Sequence, residues 1–127
     1  RAGRLPDGRA GLAAAAAVGV PPEAGGYNQE GFSFRPGSSS DFFVGYRSPL
    51  VGGRAIVLAA QNLPGLTSGN PSAGPAAFDA VHLLDLGGRG VRSLECNATE
   101  CLILAGNPGT GGNFSSPGCP AATRASV

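Results

Sequence analysis

Asp41-Phe42-Phe43-Val44 and, 59 positions later, Glu100-Cys101-Leu102-Ile103 are the two stretches whose comparison decides the fold. Each is an acidic residue followed by three apolar ones. The landmarks around them shift together: Gly31 falls on Gly90, Pro49 on Pro108, and Gly52-Gly53 on Gly111-Gly112. Self-similarity at this kind of spacing marks repeat architectures, in which one unit cannot bury its apolar faces alone and stacks on the next. Working outward, Gly31-Phe32-Ser33-Phe34 alternates apolar and small residues, the period of a half-buried strand. Residues 35–40 form a turn by composition, and residues 41–47 a second strand rich in aromatic and β-branched side chains. Pro49 and Gly52-Gly53 mark a reversal before a third strand over 54–60. Residues 62–76, with three prolines and three glycines, read as a long surface loop. A fourth strand over 78–86 closes at Gly87-Gly88. The second unit then opens with a strand over 89–96, turns at Asn97-Ala98-Thr99 and runs on over 100–105. After Asn113-Phe114 the apolar content is too low for another strand to pair.

Four consecutive strands followed by the same order restarting is the pattern of a propeller blade. The fold class expected is all-β, a partial β-propeller of about one and a half four-stranded antiparallel blades. Residues 1–26 are an Ala/Gly-rich flexible or partly helical segment, 27–88 the first blade, 89–114 the first half of a second, and 115–127 a disordered tail. A small antiparallel β-sandwich of the same strands is the alternative. Propellers close with roughly four to eight blades, so the chain reads as part of a ring: a fragment, a truncated or frame-shifted product, or one piece of an assembly. Its expected partners are the remaining blades of a parent protein or other copies of itself.

The 127 residues suffice for one ordinary domain. Glycine and proline, 22 and 11, fall mostly between apolar runs and suit tight turns. Charge is sparse, and the formal net charge is only +1. That argues against a nucleic-acid or anionic-membrane partner held electrostatically. No apolar run approaches the roughly 20 residues of a membrane helix. The Ala-rich run over 12–20, behind Arg1, Arg4 and Arg9, is faintly like a signal peptide, but an Ala-rich helix or linker is the preferred reading. A cytoplasmic location is favoured over export.

Three motifs carry a family likeness: Tyr27-Asn28-Gln29-Glu30-Gly31, Tyr46-Arg47-Ser48-Pro49-Leu50-Val51-Gly52-Gly53-Arg54-Ala55, and Leu86-Gly87-Gly88-Arg89-Gly90-Val91-Arg92-Ser93-Leu94. On these the chain resembles an uncharacterised bacterial family of β-propeller proteins, a domain of unknown function. More distantly it is similar to the esterase-like propellers related to phytases, which share an Asn-x-Glu-Gly opening of a blade. The resemblance implies a propeller fold and brings no established reaction.

In a propeller the first strand of each blade lines the central channel. The 59-residue offset sets Glu30 and Arg89 at equivalent points on neighbouring inner strands, where an acid and a base can form an ion pair or jointly grip a polar or anionic ligand. Asn28 and Glu30 are hard-oxygen donors of the kind calcium takes, against the plainer reading of a turn cap and a solvated charge. Arg92, three residues past Arg89, would face the other side of a regular strand and is a further ligand-binding candidate. Arg47 and Arg54 flank a hairpin and are expected solvated at its tip. His82 lies in the outermost strand as an edge residue.

No nucleophile elbow, Ser/His/Asp set, phosphate loop or zinc-type cluster is present, so no catalytic residue is assigned. Cys96 and Cys101 bracket a hairpin turn. They suit either a disulfide in an oxidising compartment or two small apolar core residues, the second preferred, with Cys119 left as the odd thiol. Asn97-Ala98-Thr99 and Asn113-Phe114-Ser115 match the glycosylation pattern by accident of composition. The leading functional reading is a binding or scaffold domain with no cofactor. The alternative is part of a metal-assisted hydrolase, with Asn28 and Glu30 holding calcium and Arg89 clamping an anion.

Overall fold

Apolar-rich strands over 28–34, 42–48, 55–61 and 77–84 form a four-stranded antiparallel meander. The structure, a computed structural model, describes residues 12–17, 19–109 and 122–125. The expectations placed on Arg1, Arg4, Arg9, Asn113-Phe114-Ser115 and Cys119 lie outside the described residues. The first sheet holds β1 (Asn28–Phe34), β2 (Phe42–Ser48), β3 (Ala55–Gln61) and β4 (Ala77–Leu84), in that spatial order. The second sheet holds β5 (Gly90–Cys96), β6 (Cys101–Gly106) and β7 (Ala122–Ala125), also antiparallel. The all-β class is therefore correct.

β3 reads Ala-Ile-Val-Leu-Ala-Ala without a polar residue, and every one of those six is buried. A strand buried on both faces needs cover on both faces. On one side Val57 and Ala59 join Phe43, Val91, Leu94 and Ile103, so the second sheet lies over this face. On the other, Ile56 and Leu58 pack with Tyr46 and with Leu12 of α1 (Leu12–Ala15), a single helical turn. The carbonyl of Ala15 accepts a bond from the Tyr27 amide at 2.9 Å, which holds that turn in place. Burial of side chains of this size contributes roughly 1.5–3 kcal/mol each before entropy, so the central strand anchors the molecule.

β5 meets the first sheet across β1 and β2. Gly31 and Gly45 are paired opposite each other, and Val91 fills the space above them. A Cβ on Gly45 would come within 2.6 Å of Val91 Cγ1, and one on Gly31 within 2.8 Å. The two glycines let the sheets approach as no larger residue would. Ser33, on the same face, accepts the Cys96 amide at 2.9 Å and bonds the sheets directly.

Three expectations are corrected here. The tail was expected unpaired, yet Ala122–Ala125 pairs with β6. Backbone hydrogen bonding to an open edge does not require an apolar run. The loop over 62–76 contains α2 (Leu63–Thr67) and a 3₁₀ turn at Pro71–Ala73. Asn62 organises both, accepting the Gly65 amide and donating to the carbonyls of Ala73 and Pro75. Finally, Cys96 and Cys101 are joined in a disulfide across the β5–β6 pair and are not two free thiols, although Cys101 is buried in the core and Cys96 packs against it, as the core reading expected. Their register places them directly opposite each other, where side chains on one face meet.

Candidate functional site

The ladder registers skip four residues, and all four are charged. In β1 and β2, Gln29 pairs with Tyr46 and Gly31 with Gly45, which leaves Glu30 without an opposite number; Arg47 is likewise passed over between Tyr46 and Ser48. In β5, Val91 pairs with Ala105 and Ser93 with Leu104, so Arg92 is skipped. In β4 the skipped residue is Asp79. A β-bulge of this kind inserts one residue, bends the strand and re-aims its side chain.

Three of these side chains converge. Arg47 Nη1 donates to Glu30 Oε1 at 3.0 Å, and Arg92 Nη1 donates to Glu30 Oε2 at 3.1 Å. Arg92 crosses from one sheet to the other to do so, its stem lying over Gly106, where a Cβ would meet it at 2.8 Å. Asn28 adds a weaker amide bond to Glu30 Oε1 at 3.4 Å. Partial burial acts to raise the Glu30 carboxyl, but the hydrogen bonds and charges of Arg47 and Arg92 outweigh it and hold the group below its ordinary value. The fourth bulged residue, Asp79, accepts from Arg35 at 2.8 Å and from Gln61 at 3.0 Å. That second cluster ties the β1–β2 turn to β4.

The site residues read from sequence separate at this point. Glu30 and Arg92 meet. Arg89 does not join them: it folds back over its own turn, Nη1 lying 3.2 Å from where a Cβ of Gly87 would be. The reason is turn length. Phe34 pairs with Phe42 and Cys96 with Cys101, so β2 and β6 are related by the 59 positions from Phe42 to Cys101. The first strands are related by the 62 positions from Phe34 to Cys96. The β5–β6 turn is three residues shorter than the β1–β2 turn, and that moves the counterpart of Glu30 from Arg89 to Arg92.

Arg47 was missed. Expected solvated at a hairpin tip, its side chain keeps only 11% of its surface exposed. Besides Glu30 it donates to the carbonyls of Asn107 and Gly109, just beyond β6. Arg54 does remain exposed at the tip. The signal for Arg47 lay in the alternation Phe43-Gly45-Arg47, which points all three toward the second sheet. Beside this cluster Tyr46, buried, shares a hydrogen bond with Tyr27 at 2.9 Å and accepts from Gln29 at 3.1 Å. Burial, with the Tyr27 bond, pushes its hydroxyl well above the usual tyrosine range. His82 sits half-buried in edge strand β4, its ring edge-on to Phe43 at 5.9 Å.

Among the described residues no three His, Cys, Asp or Glu side chains gather as a metal-binding group. Asn28 and Glu30 are adjacent, as a cation would need, but the Asn28 amide donates to the carboxylate and both carboxylate oxygens face guanidinium groups. A divalent ion there would have to displace two positive charges. What the arrangement offers is a surplus of cationic hydrogen-bond donors around a single acid, at the edge where β1 and β5 lie side by side.

Residues 12–110 match the family model described as Protein of unknown function (DUF3616). The chain belongs to this family. No curated protein and no solved structure matches it significantly. Within the DUF3616 chain, no helix among the described residues is long and apolar enough to cross a membrane.

Proposed function

We propose that this DUF3616 chain is a β-propeller-type binding or scaffold unit, and that the Glu30–Arg92 edge is where a small anionic or polar ligand is gripped. The observation that carries the reading is the pair of matching bulges on β1 and β5, which aim an acid and a base at each other from neighbouring sheets. In a propeller the first strand of each blade faces the central channel, and β1 and β5 are the first strands of two stacked sheets, one a complete four-stranded meander. Arg92 takes the role of anion donor, since Arg47 is committed to Glu30 and two carbonyls. Guanidinium–carboxylate and guanidinium–phosphate contacts are strong and geometrically selective. Two sheets are fewer than a closed ring needs; other sheets complete it.

The hydrolase reading, with calcium on Asn28 and Glu30 and an anion on Arg89, has the two guanidiniums against it. A thermal melt separates the readings. Millimolar calcium is expected to leave the melting temperature of the wild type unchanged, whereas inorganic phosphate or a dicarboxylate raises it and Arg92→Gln removes that rise. Stabilisation by calcium that Glu30→Gln abolishes would replace this proposal with the metal-dependent one.

A further inference from the structure

We propose that Glu30 is a built-in competitor for the anion site: its carboxylate occupies the open edge of the Arg92 guanidinium, and a ligand binds by displacing it onto Arg47. The inference rests on the anion-binding reading above and concerns how that same site is regulated.

The two arginines are held unequally. Arg47 is fixed: its side chain is largely buried, and it donates to the carbonyls of Asn107 and Gly109 as well as to Glu30 Oε1. Arg92 is held by much less. Among the described residues its guanidinium hydrogen-bonds to Glu30 alone, and only through Nη1, at 3.1 Å to Oε2 and 3.4 Å to Oε1. Its Nε lies over Gly106, 3.0 Å from where a Cβ would stand, so backbone covers that side of the fork. The edge left open runs between Nη1 and Nη2, and Glu30 already sits at Nη1.

A guanidinium binds a carboxylate or phosphate best through two parallel N–H···O bonds. Glu30 does not make that pair, since both of its contacts go to Nη1 and leave Nη2 without a partner among the described residues. An external anion with two terminal oxygens can take Nη1 and Nη2 together, but only after Oε2 has moved away. The carboxylate is not stranded by that exchange, because Oε1 stays on Arg47 at 3.0 Å. The contact to be broken is also a weak one. A partly exposed ion pair favours the closed arrangement by about two- to five-fold, which lowers the apparent affinity of a ligand by about three- to six-fold. Glu30 thereby sets a selectivity: an anion offering one contact gains nothing over the resident carboxylate, whereas a carboxylate or phosphate spanning both nitrogens does.

Titration with inorganic phosphate at constant pH and ionic strength, followed by the backbone amide resonances of residues 90–93, tests this on the wild type, Glu30→Gln, Glu30→Asp and Arg92→Gln. Aspartate keeps the charge and loses a methylene of reach, so it separates occupation of Nη1 from simple charge. Both Glu30 variants are expected to bind phosphate about three- to six-fold more tightly than the wild type, and Arg92→Gln to bind none. Circular dichroism checks that each variant folds; if glutamine prevents folding, aspartate carries the comparison. Tighter binding by glutamine alone, with aspartate at the wild-type value, overturns the proposal in favour of charge repulsion. Equal or weaker binding by both variants overturns it in favour of Glu30 as an orienter of Arg92. In either of those cases phosphate still binds at Arg92 and the reading of the site survives. An absence of binding in the wild type and in both Glu30 variants removes the anion reading, and this proposal with it.

Discussion

Glu30, Arg47, Asp79 and Arg92 share a property that neither charge nor position alone confers: each is the extra residue of a bulge. A charged side chain in a strand that buries one face would otherwise be carried into the core or out to solvent by the two-residue period. The bulge offers a third direction, toward a partner on another strand. Glu30 and Arg92 are about a quarter exposed, so their bond belongs with partly screened ion pairs. A double-mutant cycle on Glu30→Gln and Arg92→Gln is expected to return a coupling of about 0.5–1 kcal/mol. The same cycle with Arg89→Gln should return none. The pH dependence follows from the lowered carboxyl of Glu30. Its stabilising contribution is complete above the ordinary glutamate value, near 4.3, and is lost as pH falls through the lower folded value. Urea melts across that acidic range should show a steeper loss for the wild type than for Glu30→Gln.

At the scale of elements, the fit of β5 onto β1 and β2 depends on two absent side chains. Gly31 and Gly45 face each other across the pair, and Val91 occupies the notch. Gly45→Ala pushes a methyl into Val91 and is expected to cost about 1–3 kcal/mol, the usual range for overpacking. Val91→Ala alone opens a void and also destabilises. Combined, the two should recover part of the loss, so the double variant melts above the sum of the singles. Strict additivity would mean that the sheets do not meet at this notch.

For the whole molecule, protection is unevenly distributed. β3 lies inside the four-stranded sheet, buried on both faces, whereas β7 is an edge strand joined only to β6. Local opening follows burial and hydrogen bonding. Native-state hydrogen exchange is expected to leave β3 amides slowest, β6 intermediate and β7 fastest. Equal protection of β7 and β3 would mean that the two sheets open only together.

The all-β class, the strand order of the first sheet and the two hairpins were legible because alternation, aromatic and β-branched runs and glycine pairs are local signals. Phe42 to Tyr46 could hardly be anything but a strand, and Glu30 stood out as an acid at a strand opening. Which base answers Glu30 was not legible: a three-residue difference between two turns moves the register, and only paired backbones reveal which residues a ladder skips. The Phe43-Gly45-Arg47 alternation carried the direction of Arg47 but not its partner, and the Cys96–Cys101 bond awaited the pairing that sets the two sulfurs opposite each other. Local sequence determined which segments extend and which face of each is apolar, because those depend on nearest-neighbour chemistry. The tertiary structure alone decided which charges meet, because the bulges depend on how neighbouring strands pair and the sheet stacking then joins residues some sixty positions apart.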